Sequence, residues 1–317
     1  LEVSEDRVLG TAGKGLKVCL SVLNYGRITF GATCTGIAKD LLEMAVSQSQ
    51  ERVQFKKTLS HFPLIKKKIA KIASLSYAMD ATTYMTAGII DRGEEDVMLE
   101  ASILKVFASE ALWDIIYETM QIYGGRSFFT DQPLERIMRD ARLNMIGEGA
   151  NEVLKAFIAA VGMGEVGLYL QKHFMKEGDS WKNPKKMKDF SKEVFRRFKL
   201  PKVPIHYPRL LGKEAKGLAR CIRKCGLYVV FLLGKYKEDI VDKQLVLERV
   251  SNAIIGVYTC IATISKIDSD LVLAHGDTDK LEQDLKSAKY YLNTTIKSIN
   301  KSLRELSSNH DEQIESL

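Results

Sequence analysis

Cysteine and histidine are scarce in this sequence of 317 residues, and their spacing excludes two classes of protein. The five cysteines are an odd number and form no C-x-x-C pair. This argues against a disulfide scaffold and a thiolate zinc site, and it favours a reducing compartment. The five histidines are scattered without H-x-x-x-H spacing, so we predict no metal site.

Long apolar runs and a leader sequence are also missing. The sequence has no run of about 18 uncharged apolar residues, so it predicts no transmembrane helix. Its first segment, LEVSEDRVLG, has neither the basic nor the apolar region of a signal peptide. The chain opens on Leu1 instead of an initiator methionine, as expected of a fragment or a processed form.

The excess positive charge is confined to one segment. The formal net charge is +7, and the stretch from Lys172 to Lys202 holds eleven basic and four acidic residues. The rest of the chain is therefore neutral in sum. Because a nucleic-acid-binding domain spreads basic residues over a whole face, we expect no nucleic-acid partner.

Apolar residues recur at helical spacing almost everywhere, which predicts an all-α fold. One such stripe consists of Val250, Ile254, Val257, Ile261 and Ile264. Only residues 1–9 alternate as a strand does, and glycines at 10, 13 and 15 predict a turn between this strand and a long helix.

Proline marks the predicted domain boundaries. Four of the six prolines lie between Pro184 and Pro208, and none follows. We expect a helical bundle over residues 16–170, a basic linker over 171–209 and a second helical domain over 210–317.

Within the linker, residues 185–199 are typical of a basic amphipathic helix. Its apolar stripe consists of Met187, Phe190, Val194 and Phe198, and lysines and arginines cover the remaining surface. Such a helix binds peripherally to an anionic membrane, which is the interpretation that we favour. Alternatively, the aromatic residues pack on the bundle.

Three short motifs carry candidate chemistry, each with a plain structural alternative. Gly124 and Gly125 end an apolar helix after Gln121, as a helix cap or as a place where a ligand approaches the backbone. Glu148 stands between two glycines, as an exposed turn residue or as a buried base with a raised pKa. Arg52 follows a helix, where it pairs with phosphate or complements the helix dipole.

The order of these motifs resembles the carboxy-terminal half of the acyl-CoA dehydrogenase family over residues 1–167. The resemblance is carried by GKGLKV, LNYGRITFGA, ERVQFKKTL, EALWDIIYETMQIYGG, ERIMRDAR and GEGANEVL. The segments at 23–30 and 58–72 are most similar to the long-chain branch, which has an additional helical domain after a linker. The implied fold is a four-helix bundle followed by this second helical domain, and the resemblance implies that residues 1–15 are the end of a preceding β-domain, with a remnant β-strand.

The resemblance implies FAD-dependent α,β-dehydrogenation of a long-chain fatty acyl-CoA, with Glu148 as the catalytic base. The implied cofactor-binding positions are Arg52, Val53, Gln54, Gln121, Gly125, Ala150, Asn151 and Glu152, of which Gln121 and Gly125 act across a dimer interface. The implied substrate-binding positions are Asn24, Tyr25, Gly26, Arg27 and Gly149. The implied partners are a second copy of the chain and electron-transferring flavoprotein, in a bacterial cytoplasm or a mitochondrial matrix.

The sequence departs from the family pattern at five places around these positions. They are Lys56, Pro63, Ser127, Gly147 and Ala150. Because several of them lie beside the implied cofactor positions, a second function stays open, in which the fold is a non-catalytic scaffold for assembly. The retained Glu148 and Arg52 favour the enzyme.

Overall fold

The structure is a computed structural model that describes residues 4–94, 96–170, 188, 192 and 199–315. Its α-helices are α1 (Gly15–Glu51), α2 (Pro63–Asp91), α3 (Met98–Tyr123), α4 (Leu134–Arg142), α5 (Asn151–Leu170), α6 (Pro208–Tyr236), α7 (Gln244–Leu273), α8 (Glu282–Glu305) and α9 (Asp311–Glu315). The predicted all-α class is therefore confirmed. The predicted amphipathic helix at 185–199 lies outside the described residues except at 188, 192 and 199.

The predicted strand at the start of the chain is not found in the described residues. Glu5–Arg7 forms a single 3₁₀ turn, and residues 1–3 are outside the description. A strand needs a neighbouring strand to bind its backbone groups, and no strand pairs with this segment in the described structure. The turn before α1 is as predicted, because Gly10 and Gly13 have positive φ.

Among the described residues, the β-structure is a two-stranded hairpin between α1 and α2. Strands β1 (Val53–Gln54) and β2 (Lys57–Thr58) are antiparallel. The two turn residues, Phe55 and Lys56, have φ of 51° and 66°, as in the type I′ turns that suit hairpins. Lysine thus takes a left-handed conformation at a position where glycine is favoured.

Helices α1, α2 and α3 pack against one another, and α5 packs on α3. Apolar side chains at helical spacing fill the centre, including Ala38, Leu41 and Ala45 from α1. At the crossing of α1 and α3, a Cβ on Gly31 would lie 2.6 Å from Leu104 Cγ, so only glycine permits this close approach. The crossing fixes the amino-terminal halves of both helices beside each other.

Helices α6, α7 and α8 pack together and also against the first bundle. Helix α2 contacts α7 and α8, and α5 contacts α7. The Thr86 and Tyr258 hydroxyls are 3.0 Å apart across this boundary, and the rings of Phe107 and Tyr291 stack edge to face. The two helical blocks predicted from the prolines thus share one continuous core, while their division into domains stays a prediction.

Helix α7 is long and apolar enough to cross a membrane by length and composition alone. However, 56% of its most apolar window is buried inside the protein. Its buried residues include Val250, Ile264 and Ile267, and the helix packs against α2, α5, α6 and α8, as a core helix does.

Candidate functional site

The segment between α4 and α5 is a tight turn that carries Glu148. The chain leaves α4 at Arg142, makes a 3₁₀ turn at Leu143–Met145 and enters α5 at Asn151. Glu148 has φ of 60° and Gly149 has φ of 99°. A left-handed glutamate is uncommon and costs about 1–3 kcal/mol, so the surrounding structure must hold it in place.

The Glu148 carboxylate lies over the exposed edge of α1 at Gly26. A Cβ built on Gly26 would be 3.4 Å from Glu148 Oε2, so the carboxylate lies at van der Waals distance from this position of α1. Glu148 itself is exposed in this chain. Of the two alternatives from the sequence, the structure of this chain shows the exposed turn residue, while the role of Glu148 as a base stays a prediction.

Arg27 joins the turn to α1 and α3. Its Nε donates a hydrogen bond to the Glu148 carbonyl oxygen at 3.2 Å, and its Nη1 donates to Asn24 Oδ1 and Ser102 Oγ. Burial lowers the pKa of Arg27, and the nearby Glu148 carboxylate opposes that shift. The structure thus brings together Asn24, Gly26, Arg27 and Glu148, as the resemblance implied, while Tyr25 is exposed beside them.

Lys105, which the sequence analysis missed, lies directly beneath the turn. It is fully buried, and its Nζ donates to the Gly149 carbonyl oxygen at 2.7 Å and to Asn151 Oδ1 at 2.9 Å. Burial lowers its pKa to about 8, with a further contribution from the charge of Arg27. A lysine inside the apolar run SILKVFA was the available signal, because lysine is almost never fully buried without a role.

Asn151, an implied cofactor position, turns its side chain into the protein. It accepts from Lys105, and its Nδ2 donates to Ser109 Oγ at 3.0 Å and to Glu110 Oε1 at 3.4 Å. Any contact of Asn151 with a ligand therefore falls to its backbone. Its neighbours are more accessible, since Ala150 is half-buried and Glu152 is exposed.

A second group of implied cofactor residues lines a separate cleft at the other end of α3. The cleft has a volume of about 590 Å³, and its lining includes Arg52, Gln54, Gln121, Gly125 and Arg126. Val53 lies in β1 beside them and is exposed. The cleft combines the guanidinium groups of Arg52 and Arg126 with the amides of Gln54 and Gln121, a donor set that suits a phosphate-containing nucleotide.

The glycine surface of this cleft is open. Gly124 ends α3 with φ of 63°, which confirms the predicted helix cap. A Cβ on Gly125 would meet no atom within 4 Å, so the backbone there is free for close approach by a ligand. Burial raises the pKa of the adjacent Tyr123, which keeps its phenol neutral.

The two groups are well separated along α3. Gln121 follows Lys105 by sixteen positions in the same helix, which places the two residues about 24 Å apart along the axis. The chain thus has a carboxylate site at one end of α3 and a nucleotide-type cleft at the other.

Two family sequence models match this chain in series. The model described as "Acyl-CoA dehydrogenase, C-terminal domain" matches residues 13–163, and "ACAD9/ACADV, C-terminal domain" matches residues 209–317. Mouse "Very long-chain specific acyl-CoA dehydrogenase, mitochondrial" is 32% identical over 280 residues. The chain belongs to the acyl-CoA dehydrogenase family. The resemblance inferred from the motifs is therefore confirmed.

Other family members extend the comparison. The mouse match covers 86% of this chain and 42% of that protein, so the chain spans less than half the length of this relative. "Probable acyl-CoA dehydrogenase FadE10" of Mycobacterium bovis is 36% identical over 169 residues, which cover 50% of this chain and 26% of that protein.

A solved relative shares the fold over nearly the whole chain. It is an acyl-CoA dehydrogenase complexed with FAD from Bacillus anthracis, with a TM-score of 0.79 at 23% identity. The match covers 98% of this chain and 53% of that chain, and it therefore includes both helical blocks.

The departures from the acyl-CoA dehydrogenase pattern are accommodated by the fold. Pro63 takes the first position of α2, where no helical hydrogen bond is lost, and the buried Ser127 donates to the Gly124 carbonyl oxygen at 2.7 Å. Gly147 has no side chain to cover the chain next to Glu148. Ala150 removes a hydroxyl, and Lys56 takes a left-handed conformation in the hairpin turn.

Proposed function

We propose that this chain forms the base-bearing half of an FAD-dependent dehydrogenase that converts long-chain fatty acyl-CoA into trans-2-enoyl-CoA. Family membership supports the reaction class, and the similarity to very-long-chain enzymes supports the substrate class. The observation that carries the proposal is Glu148, an exposed carboxylate on a strained turn over a glycine gap.

In this proposal, Glu148 removes the α-proton of the acyl thioester. The α-proton goes to the carboxylate, and the β-hydrogen leaves with its electron pair as hydride. Bound FAD supplies the hydride acceptor. Because thioester α-protons are weakly acidic, the base must be held close to the reacting carbon, and a positioned base contributes roughly 10²–10⁴-fold.

The residues of the α3 cleft fit FAD. Arg52 and Arg126 provide positive charge for its diphosphate, Gln121 provides an amide, and Gly125 provides an open backbone surface. Because this cleft is about 24 Å from the Glu148 end of α3, we propose that it holds part of the cofactor bound to a second copy of the chain. The active protein is then a homodimer.

The proposal extends to partners and place. Electron-transferring flavoprotein is the proposed electron acceptor, as the family resemblance implies. The proposed compartments are a bacterial cytoplasm or a mitochondrial matrix, since matched relatives include a mitochondrial protein and a mycobacterial one. Peripheral membrane contact through residues 185–199 stays a prediction.

The test is an anaerobic flavin titration of the complete gene product. We expect a yellow dimer whose flavin absorbance is bleached by palmitoyl-CoA and much less by butyryl-CoA. Equal bleaching by both substrates would remove the long-chain assignment. A colourless protein, or a flavin unchanged by either substrate, would favour the scaffold instead.

A further inference from the structure

Lys105 is the buried lysine of the described structure, and its surroundings are unusual for a structural cation. It has no exposed surface, and no carboxylate of the described residues lies within ion-pair distance of its Nζ. Its two hydrogen-bond acceptors are both neutral: the carbonyl oxygen of Gly149 and the side-chain oxygen of Asn151. A buried ammonium without a carboxylate partner destabilises a fold, so its contribution lies in what it binds.

The titratable groups that surround Lys105 come from each neighbouring element. Arg27 and Cys34 face it from α1, Glu110 follows it on α3, and Glu148 lies in the turn. The ring centroid of Phe30 is 6.0 Å from its Nζ. Arg27 repels the ammonium, and the acidic groups act only from a distance, so the two neutral acceptors are the direct partners.

These acceptors lie immediately after Glu148 in the chain. Lys105 holds the peptide oxygen of Gly149, and through Asn151 it holds the first residue of α5. Arg27 holds the carbonyl oxygen of Glu148 itself. The hydrogen bonds from Arg27 and Lys105 thus restrain the backbone on both sides of the Glu148 carbonyl. They oppose any change in the φ of 60° at Glu148, which sets the direction of its side chain.

Asn151 transmits the same constraint to the helices. Its amide donates to Ser109 and Glu110 on α3, and Glu110 also accepts from Lys155 on α5 at 2.9 Å. Lys105 therefore belongs to a hydrogen-bond network that joins α3 to the start of α5 and includes the Gly149 carbonyl of the turn.

We propose that Lys105 is a positioning residue, which orients the Glu148 base by holding the Gly149 carbonyl and the Asn151 side chain. This inference rests on the proposed function for its catalytic consequence. Its structural content, that the ammonium immobilises residues 147–151, can be measured without turnover.

The first experiment replaces the ammonium in the complete flavoprotein. Lys105→Met keeps the length and apolar stem, and Lys105→Gln keeps a shorter neutral donor. We expect kcat to fall about 10²-fold in Lys105→Met, because a small misplacement of a catalytic group has effects of that order. We expect KM and flavin content to stay within about threefold of the wild type. The kcat of Lys105→Gln should fall less than that of Lys105→Met, because its amide keeps a donor that reaches roughly one of the two acceptors.

The matched control is Thr119→Val on the same helix. Thr119 is fully buried, and its Oγ1 has no hydrogen-bond partner among the described residues. The change therefore removes a buried polar atom from α3 without touching the turn. We expect kcat, KM and exchange rates at wild-type values.

The second experiment measures amide hydrogen exchange in the same proteins without substrate. We expect exchange of residues 147–152 to accelerate at least about tenfold in Lys105→Met, with the rest of α3 and α5 unchanged. Faster exchange throughout the bundle would show a merely structural role and overturn the inference. Unchanged exchange in the turn would also overturn it, whatever the activity.

The two readouts separate this inference from the function on which it rests. A wild-type protein that does not oxidise acyl-CoA refutes the proposed function, and exchange in the turn still decides whether Lys105 immobilises it. If Lys105→Met fails to fold, Lys105→Gln carries both measurements. Loss of kcat with unaltered exchange in a folded variant contradicts positioning.

Discussion

The two ends of α3 differ in whether the polar side chains around them form hydrogen bonds within this chain. At the Glu148 end, Arg27 and Lys105 donate hydrogen bonds to the carbonyl oxygens of Glu148 and Gly149, and Lys105 also donates to the buried Asn151 side chain. At the other end, the side chains of Arg52 and Gln121 are exposed and form no hydrogen bond or ion pair with described residues.

This difference separates a site that is already ordered from one that needs a ligand. Hydrogen bonds that hold a base before substrate arrives reduce the reorganisation needed at the moment of reaction. Exposed cations and an open glycine surface gain their partners only on binding. Variants at the first end should therefore change the rate, and variants at the second should change cofactor retention.

The largest expected effect follows Glu148→Gln in the complete flavoprotein. The amide has the same shape but cannot accept the α-proton, so we expect turnover of palmitoyl-CoA to fall at least about 10³-fold. Flavin content should change little, because the cleft at the far end of α3 is untouched. Steady-state kinetics and the flavin-to-protein ratio measure both.

Glu165→Gln is the control for this change. It makes the same substitution at an exposed glutamate of α5 that is outside the implied cofactor and substrate positions. Turnover of Glu148→Gln within a few-fold of the wild type would place the base elsewhere and end the contrast between the two sites.

Arg52→Ala should have the next largest effect, and we expect it to weaken FAD binding without lowering the turnover rate. Removing a charged hydrogen bond costs about 1.5–3 kcal/mol, which corresponds to roughly 10- to 100-fold weaker FAD binding. Turnover per bound flavin should remain near the wild-type value. Equilibrium dialysis of the apoprotein against FAD gives the affinity.

Arg139→Ala is the matched control for this arginine. Its Nε pairs with Glu135 at 3.1 Å on the surface of α4, away from the cleft. It should leave FAD affinity unchanged. An equal loss in both variants, or a loss in neither, would show that Arg52 is not a cofactor contact.

Much of the fold follows from local sequence signals. The apolar stripe Val250–Ile264 predicts a helix because side chains three and four residues apart share a face, and α7 contains it. The glycines before α1 and at the end of α3 predict turns for the same local reason, since both need positive φ. By contrast, the alternation of residues 1–9 predicts a strand, but residues 5–7 within it form a 3₁₀ turn, because a strand depends on partners outside its own sequence.

The candidate site is predictable only in part, because its geometry depends on contacts distant in sequence. The motifs identify Glu148 and Arg27 as candidates, but they do not predict the hydrogen bond between these two residues, which are 121 positions apart in the sequence. The lysine within the apolar run SILKVFA is visible in the sequence, but its role at Lys105 is not, since its partners at Gly149 and Asn151 belong to another motif. The shared core of the two blocks was likewise hidden, because proline spacing marks a linker without showing what the helices beyond it touch.

The smallest expected effect is that of Gly26→Ala, which tests the space around the ordered site. Its Cβ would lie 3.4 Å from Glu148 Oε2, an ordinary contact, so the carboxylate needs to move by only tenths of an ångström. We expect kcat to fall by less than about tenfold. Because alanine replaces glycine inside α1, stability should rise by about 0.5–1 kcal/mol.

Gly36→Ala separates these two consequences. Gly36 is an exposed residue of the same helix, and a Cβ there would meet no atom within 4 Å. Thermal unfolding should therefore show the same gain of about 0.5–1 kcal/mol in both variants, while only Gly26→Ala loses activity. If both variants keep full activity, the gap at Gly26 is not needed by the Glu148 carboxylate. If both lose it, the rigidity of α1 governs the rate, and the ordered end of α3 extends beyond the turn.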